Sequence, residues 1–141
     1  MQKRLSWTIV GLAIIGAAIS VYLTIYSVDL QSGACTLSDY FSCSAVLSSP
    51  YSKFGGIPTA SFGIVWFIVA AAMCVLASKN ETLLKYALGW SLVGLLSVFI
   101  LVYTEIFLVG AICPLCTVVH ILVIGILVLT IFLWRTRPRG G

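Results

Sequence analysis

Apolar residues run along this chain in four long blocks. No acidic or basic side chain interrupts Leu5–Val28, Phe54–Ser78, Tyr86–Thr104 or Ile106–Trp134. Each block can supply the roughly 20 apolar residues that cross a bilayer. The pattern predicts four transmembrane helices near 6–28, 58–78, 83–109 and 113–134. The fold class expected is an all-α integral membrane protein, a four-transmembrane-helix bundle formed by one domain over residues 1–141. Segment 29–57, polar enough for water, is the only sizeable stretch left outside the membrane.

Charge turns this pattern into a topology. Lys3 and Arg4 precede the first span, Lys79 and Lys85 flank the second connection, and Arg135, Arg137 and Arg139 follow the fourth. Seven of the eight basic residues therefore share one side, and only Lys53 falls on the other. By the positive-inside rule both termini are cytoplasmic, and loop 29–57 and the turn before Cys113 face outward. The net charge of +4 is read as a topology signal, and no nucleic-acid partner is expected. Lys3-Arg4 before an apolar run also resembles a secretory signal peptide, with Ala17-Ala18 as a cleavage region. The run continues through Ile25, however, beyond the about 7–15 residues of a signal-peptide core, so the first span is expected to be retained. Composition agrees with a membrane protein: 61% hydrophobic and 9% charged, against about 45–50% and about 25% in soluble domains.

Small residues four apart in the first span, Ala13/Ala17 and Gly16/Ser20, suit close helix packing in lipid. The second span opens at "GGIPTASFG", where Pro58 fits a first helical turn and Gly55-Gly56 permit the turn before it. Trp134 with Arg135 reads as an anchor at the inner interface. Only a few residues join the third and fourth spans, so these are antiparallel neighbours. Tyr40, Phe41, Val46, Leu47, Tyr51 and Phe54 give the outer loop an apolar side, which predicts a partly helical cap lying on the bundle. There is no soluble catalytic domain, repeat or low-complexity tail.

The candidate chemistry is sulfur. The predicted topology places Cys35, Cys43, Cys113 and Cys116 at or near the outer face, while Cys74 lies within the second span and reads as a small buried hydrophobe. Three readings of the four outer cysteines were weighed. Four thiolates can form a structural zinc site, but the Cys35–Cys43 spacing is loose and an outer face commonly favours oxidation; no metal is expected. Two structural disulfides stapling a loop form the second reading. A redox relay is the third and the one preferred. Cys113 and Cys116 lie three apart at a helix start, hence on one face, where the positive helix terminus stabilises a thiolate. His120 lies one turn deeper on that face. An ionisable residue within a span is a functional candidate; the alternative for His120 is a neutral imidazole hydrogen-bonded between helices. Glu105 reads as a carboxylate at headgroup level.

"CTLSDYFSC" at 35–43, "SAVLSSPYSKFGGIPTASFG" after it and "CPLC" at 113–116 together resemble the vitamin K epoxide reductase family, in particular its prokaryotic, DsbB-like members. The resemblance covers nearly the whole chain. It implies an oxidoreductase of a prokaryotic cell membrane with a quinone (ubiquinone, menaquinone or vitamin K type) held inside the bundle. Cys113 and Cys116 would be the active-site pair, and Cys35 and Cys43 the shuttle pair fed by a thioredoxin-fold, DsbA-like partner. Ser49 matches a hydroxyl position of the family, and Leu47, Thr59 and His120 complete the expected quinone contacts. Two positions depart from the mammalian pattern. His120 stands where those enzymes have tyrosine, and a residue such as Thr59 replaces their asparagine, which puts epoxide reduction in doubt. No fused thioredoxin domain follows, so the partner is expected to be a separate protein.

The function expected is a membrane thiol:quinone oxidoreductase that supports disulfide formation. Vitamin K quinone or epoxide reduction, or a non-catalytic tetraspan protein with structural disulfides, are the alternatives. A short helix over "SAVLSSPY" would hold Cys43 above the start of the last span. Cys35, beside Gly33 and Ala34, would be freer to meet a partner. The expected interloop intermediate joins Cys43 to Cys113, leaving Cys116 and His120 for the quinone.

Overall fold

The computed structural model describes residues 1–29, 35–77 and 80–137. Its four long helices are α1 (Gln2–Val28), α3 (Thr59–Ala77), α4 (Glu81–Tyr103) and α5 (Pro114–Thr136), with a short α2 (Cys43–Ser48) in the cap. All four are long and apolar enough to cross a membrane, α4 together with the π-helical turn Thr104–Val109 that extends it. The architecture is an all-α membrane bundle, as the block pattern predicts. Helix α1 packs on α3 and α5, and α4 packs on the same two, so the bundle closes in the order α1–α3–α4–α5. Both ends of the described chain lie at one end of the bundle, where the Gln2 amide donates to the Thr136 carbonyl at 3.4 Å. Lys85 sits there over the Trp134 ring at 6.0 Å. Of the basic residues used to assign sides, Lys79 and Arg139 lie outside the described residues, as do Gly33, Ala34 and Ser78.

Sequence explains why these helices approach closely. Large apolar side chains such as Trp7, Ile14, Val65, Phe99 and Ile121 point outward, as a lipid-facing surface requires, while small residues take the seams. The stripe along α1 meets α3: a β-carbon at Gly16 would run into the Phe67 ring, and one at Gly63 would lie 3.0 Å from Ser20 Oγ. Helices α3 and α4 are cross-braced by two tryptophans. Trp66 Nε1 donates to the Trp90 carbonyl at 3.3 Å, and Trp90 Nε1 donates to the Trp66 carbonyl at 3.2 Å. The Trp66 indole fills the space that a side chain at Gly94 would need. Cys74 is buried on α3 with its thiol towards the Ser6 carbonyl, 4.0 Å away.

The cap is partly helical. Ser42 caps α2, its hydroxyl accepting from Ala45 N–H at 3.2 Å, and a 3-10 turn Pro50–Ser52 follows. A two-residue hairpin then joins strands β1 (Lys53–Phe54) and β2 (Ile57–Pro58). Gly55 and Gly56 have φ of +60° and +84°, the positive values that a tight two-residue hairpin demands at both positions. This corrects the reading of Pro58: it belongs to strand β2, opposite Lys53, and α3 begins one residue later at Thr59. A proline has no N–H to give a ladder, so an edge strand tolerates it. The other spans differ from expectation only at their ends.

Candidate functional site

Two disulfides lie face to face where the cap meets the bundle. Cys35–Cys43 and Cys113–Cys116 are bonded, with Cα–Cα separations of 5.4 and 5.1 Å. Backbone pairing sets their register. Ile112 N–H donates to the Tyr40 carbonyl at 2.8 Å and Ser42 N–H to the Ile112 carbonyl at 3.0 Å, a parallel bridge of Phe41 with Ile112. Cys113 directly follows Ile112, and Cys43 directly follows Ser42, whose N–H is bonded to the Ile112 carbonyl, so Cys43 is held over Cys113. Their sulfurs are 3.2 Å apart, and both residues are fully buried. Leu23 and Tyr26 of α1, Val46 and Leu47 of α2, and Ala111 pack around them.

Cys35, Cys43 and Cys113 bring their sulfurs within 4.8 Å of one another. Three sulfurs so close can ligate a metal or exchange a disulfide. In this arrangement they are disulfide-bonded, whereas a zinc site requires thiolates. Cys35, expected to be the freer of the two loop cysteines, has 7% of its surface accessible, against none for Cys43.

Cys113 is the N-cap of α5, and its sulfur accepts from Cys116 N–H at 3.2 Å; Pro114 takes the first helical position. Cys116, one turn in, borders a partly open cavity of about 830 Å³ lined by the cap, α1, α3, α4 and α5. Small-molecule sites fall at about 300–1,000 Å³ with apolar walls and few polar groups, which is the character of this one. Leu47, Ser49, Thr59 and His120 all line it. Two of the hydroxyls are already engaged: Thr59 Oγ1 donates to the Ser52 carbonyl at 2.8 Å and Ser49 Oγ to the Val46 carbonyl at 2.7 Å. His120 is 7% exposed and makes no hydrogen bond to any described residue. The interhelical hydrogen bond considered for it is therefore absent among those residues, and its imidazole is left to the cavity.

Glu105, in the π turn by which the chain leaves α4, is buried. Gly110, with φ +73°, and Ala111 both donate backbone N–H to the Glu105 carbonyl, at 2.9 and 3.2 Å. The side chain lines the cavity, and its Oε2 accepts from Cys113 N–H at 3.4 Å. The lower wall, with Trp66, Trp90 and Gly94, was also missed from sequence. A signal existed: tryptophans favour membrane interfaces, and two in mid-span need partners for their N–H groups.

The chain matches the model of the vitamin K epoxide reductase family over residues 7–131. The chain belongs to the vitamin K epoxide reductase family. This family is one of oxidoreductases that handle quinones, so the protein is a multi-pass membrane oxidoreductase. The match spans every vitamin K epoxide reductase feature described above: both cysteine pairs, the cap between them, and the helices that wall the cavity.

Proposed function

We propose that this protein is a thiol:quinone oxidoreductase that draws electrons from a separate thioredoxin-fold protein and thereby keeps that partner oxidising. The observation that carries the proposal is continuity: Cys43 Sγ lies 3.2 Å from Cys113 Sγ, and Cys116 lines the same cavity as His120. A pair of structural staples has no need of such contact between disulfides, nor of a buried imidazole without a partner.

The residues divide the work as follows. A reduced partner attacks Cys35, forming a mixed disulfide and freeing Cys43; the partner's second thiol then displaces Cys35 as a thiolate, so the partner leaves with its own disulfide closed. The freed Cys43 thiolate then attacks Cys113, since disulfide exchange proceeds by thiolate attack on a sulfur. Cys116 leaves as a thiolate, stabilised by the N-terminus of α5. Cys35 next displaces Cys113 from Cys43 and restores the first disulfide. A quinone in the cavity would supply a sink for two electrons and two protons. The cavity suits it: apolar walls for a ring and tail, with the imidazole of His120 available as a hydrogen-bond donor to an oxygen. Epoxide reduction is not part of the proposal, because the Thr59 hydroxyl is directed to the Ser52 carbonyl.

The topology proposed is that of the charge pattern, with both termini cytoplasmic and the cap extracytoplasmic. Purified protein is expected to reduce ubiquinone-1 or menadione when supplied with a reduced thioredoxin-fold dithiol, and Cys116→Ala to abolish this. Cysteine pairs that stay fully oxidised in the presence of reduced partner, with no quinol formed, would sink the proposal and leave the stapled tetraspan.

A further inference from the structure

Glu105 is the one buried carboxyl of the chain. Asp29, Asp39 and Glu81, the other three acidic residues, are all exposed. Its side chain has a single hydrogen-bond partner, the backbone N–H of Cys113, and no ion pair with any described residue. An ionised carboxylate in such a place is costly, and a buried charge is normally paired or neutralised. The N–H that it accepts belongs to the very residue whose sulfur must form and break bonds, three covalent bonds away. Neighbouring like charges in a low-dielectric site cannot both form readily, so two such acidic groups come to share a proton.

Given the relay proposed above, on which this rests, we infer that Glu105 is the proton donor and acceptor for Cys113. When Cys35 displaces Cys113, the Cys43–Cys113 bond breaks, the Cys35–Cys43 bond forms, and the electron pair stays on Cys113 sulfur. The Glu105 carboxyl then gives that sulfur its proton and becomes a carboxylate held by Cys113 N–H. When Cys113 later closes on Cys116, with the two electrons of that oxidation accepted by the quinone class proposed above, its thiol returns the proton to Glu105. The carboxyl ends each cycle as it began, and no proton has to cross the sealed sulfur cluster. The other titratable groups around it are few. They are Cys35 and Cys43 of the sulfur cluster, which titrate only when reduced, Cys116 and His120 on α5, Tyr26 of α1 in the sulfur cluster, and exposed Lys53 and Tyr51 at the cap side of the cavity; α3 adds none to the cavity wall.

The test needs neither quinone nor partner, so its failure is separable from failure of the quinone assay. Infrared difference spectra would compare disulfide-bonded protein with protein reduced by dithiothreitol. The expected result is loss or shift of a carboxylic-acid carbonyl band on reduction. That band should be absent in Glu105→Gln and retained in Glu81→Gln. Single-turnover exchange from the Cys35/Cys43 dithiol to Cys113–Cys116 should slow about 100-fold in Glu105→Gln, the lower end of what a positioned acid–base group supplies. Glu105→Asp should recover part of the rate, and the pH profile of Glu105→Gln should lose one titration. The glutamine oxygen can still accept Cys113 N–H, so a role confined to positioning survives in that variant. Wild-type exchange rate and pH profile in Glu105→Gln would therefore overturn the inference. Wild-type protein with no redox-linked acid band would overturn it as well, even if no variant folds.

Discussion

Cys43 and Cys113 show how much can depend on one contact. Exchange between disulfides needs an attacking sulfur close to its target, and here the two sulfurs are 3.2 Å apart with both residues excluded from solvent. A protein carrying Cys35→Ala and Cys116→Ala together is expected to form a Cys43–Cys113 disulfide as its dominant linkage, detectable by mass spectrometry of the digested protein. Recovery of mostly free thiols would mean that the contact is not used. His120 offers a second residue-scale outcome. Removing one preorganised donor from an anion-stabilising site lowers turnover by about 100-fold or more, so His120→Ala should slow quinone reduction to that degree while partner oxidation in a single turnover changes little. Equal loss in both steps would assign His120 to the fold instead.

At the scale of elements, the seams between helices depend on glycines whose missing β-carbons admit a neighbour's ring. A side chain at Gly94 would collide with the Trp66 indole, whereas nothing lies within 4 Å of the equivalent position at Gly89, on the same helix. Overpacking of a filled site costs about 1–3 kcal/mol. Gly94→Ala is therefore expected to lower the thermal midpoint in detergent, with Gly89→Ala unchanged or slightly raised. Because Trp66 and Trp90 also wall the cavity, Gly94→Ala should weaken quinone binding too, read as a raised KM. If both alanine variants melt together, the clamp between α3 and α4 contributes little.

For the whole molecule, the arrangement puts the reactive sulfurs at one end of the bundle and the described termini at the other. The Gln2–Thr136 hydrogen bond ties α1 to α5 at the terminal end, and Lys85 with Trp134 lies there also. In the topology proposed from the positive-inside rule, that end is the cytoplasmic one. Reporter fusions after residue 141 should be active only as cytoplasmic reporters, and Cys35 freed by reduction should be labelled only from the outside of intact cells. A fusion reporting an outer C-terminus would reverse the topology and remove the proposed route for an extracytoplasmic partner.

The sequence by itself determined the four spans, because crossing hydrocarbon demands long uncharged runs whatever the neighbours are. It also singled out the four outer cysteines by their place in the topology, while their division into two pairs came from the resemblance that the cap motifs and C-P-L-C carry. The contents of the cavity were partly legible: Leu47, Ser49 and Thr59 were named beside the family resemblance and His120 from its place within a span, and all four line it. Tertiary structure decided the rest. The short helix after Cys43 made its meeting with Cys113 an expectation from sequence, but the register that brings it about is set by the bridge between Phe41 and Ile112, 71 residues apart, which no local pattern encodes. The depth of Glu105 was counted along a straight helix, which says nothing of its neighbours; the π turn and the left-handed Gly110 bring Cys113 N–H back to its buried carboxyl. Trp66 and Trp90 each read as one more apolar residue until α3 and α4 were set side by side, because a reciprocal hydrogen bond exists only when both partners are in place.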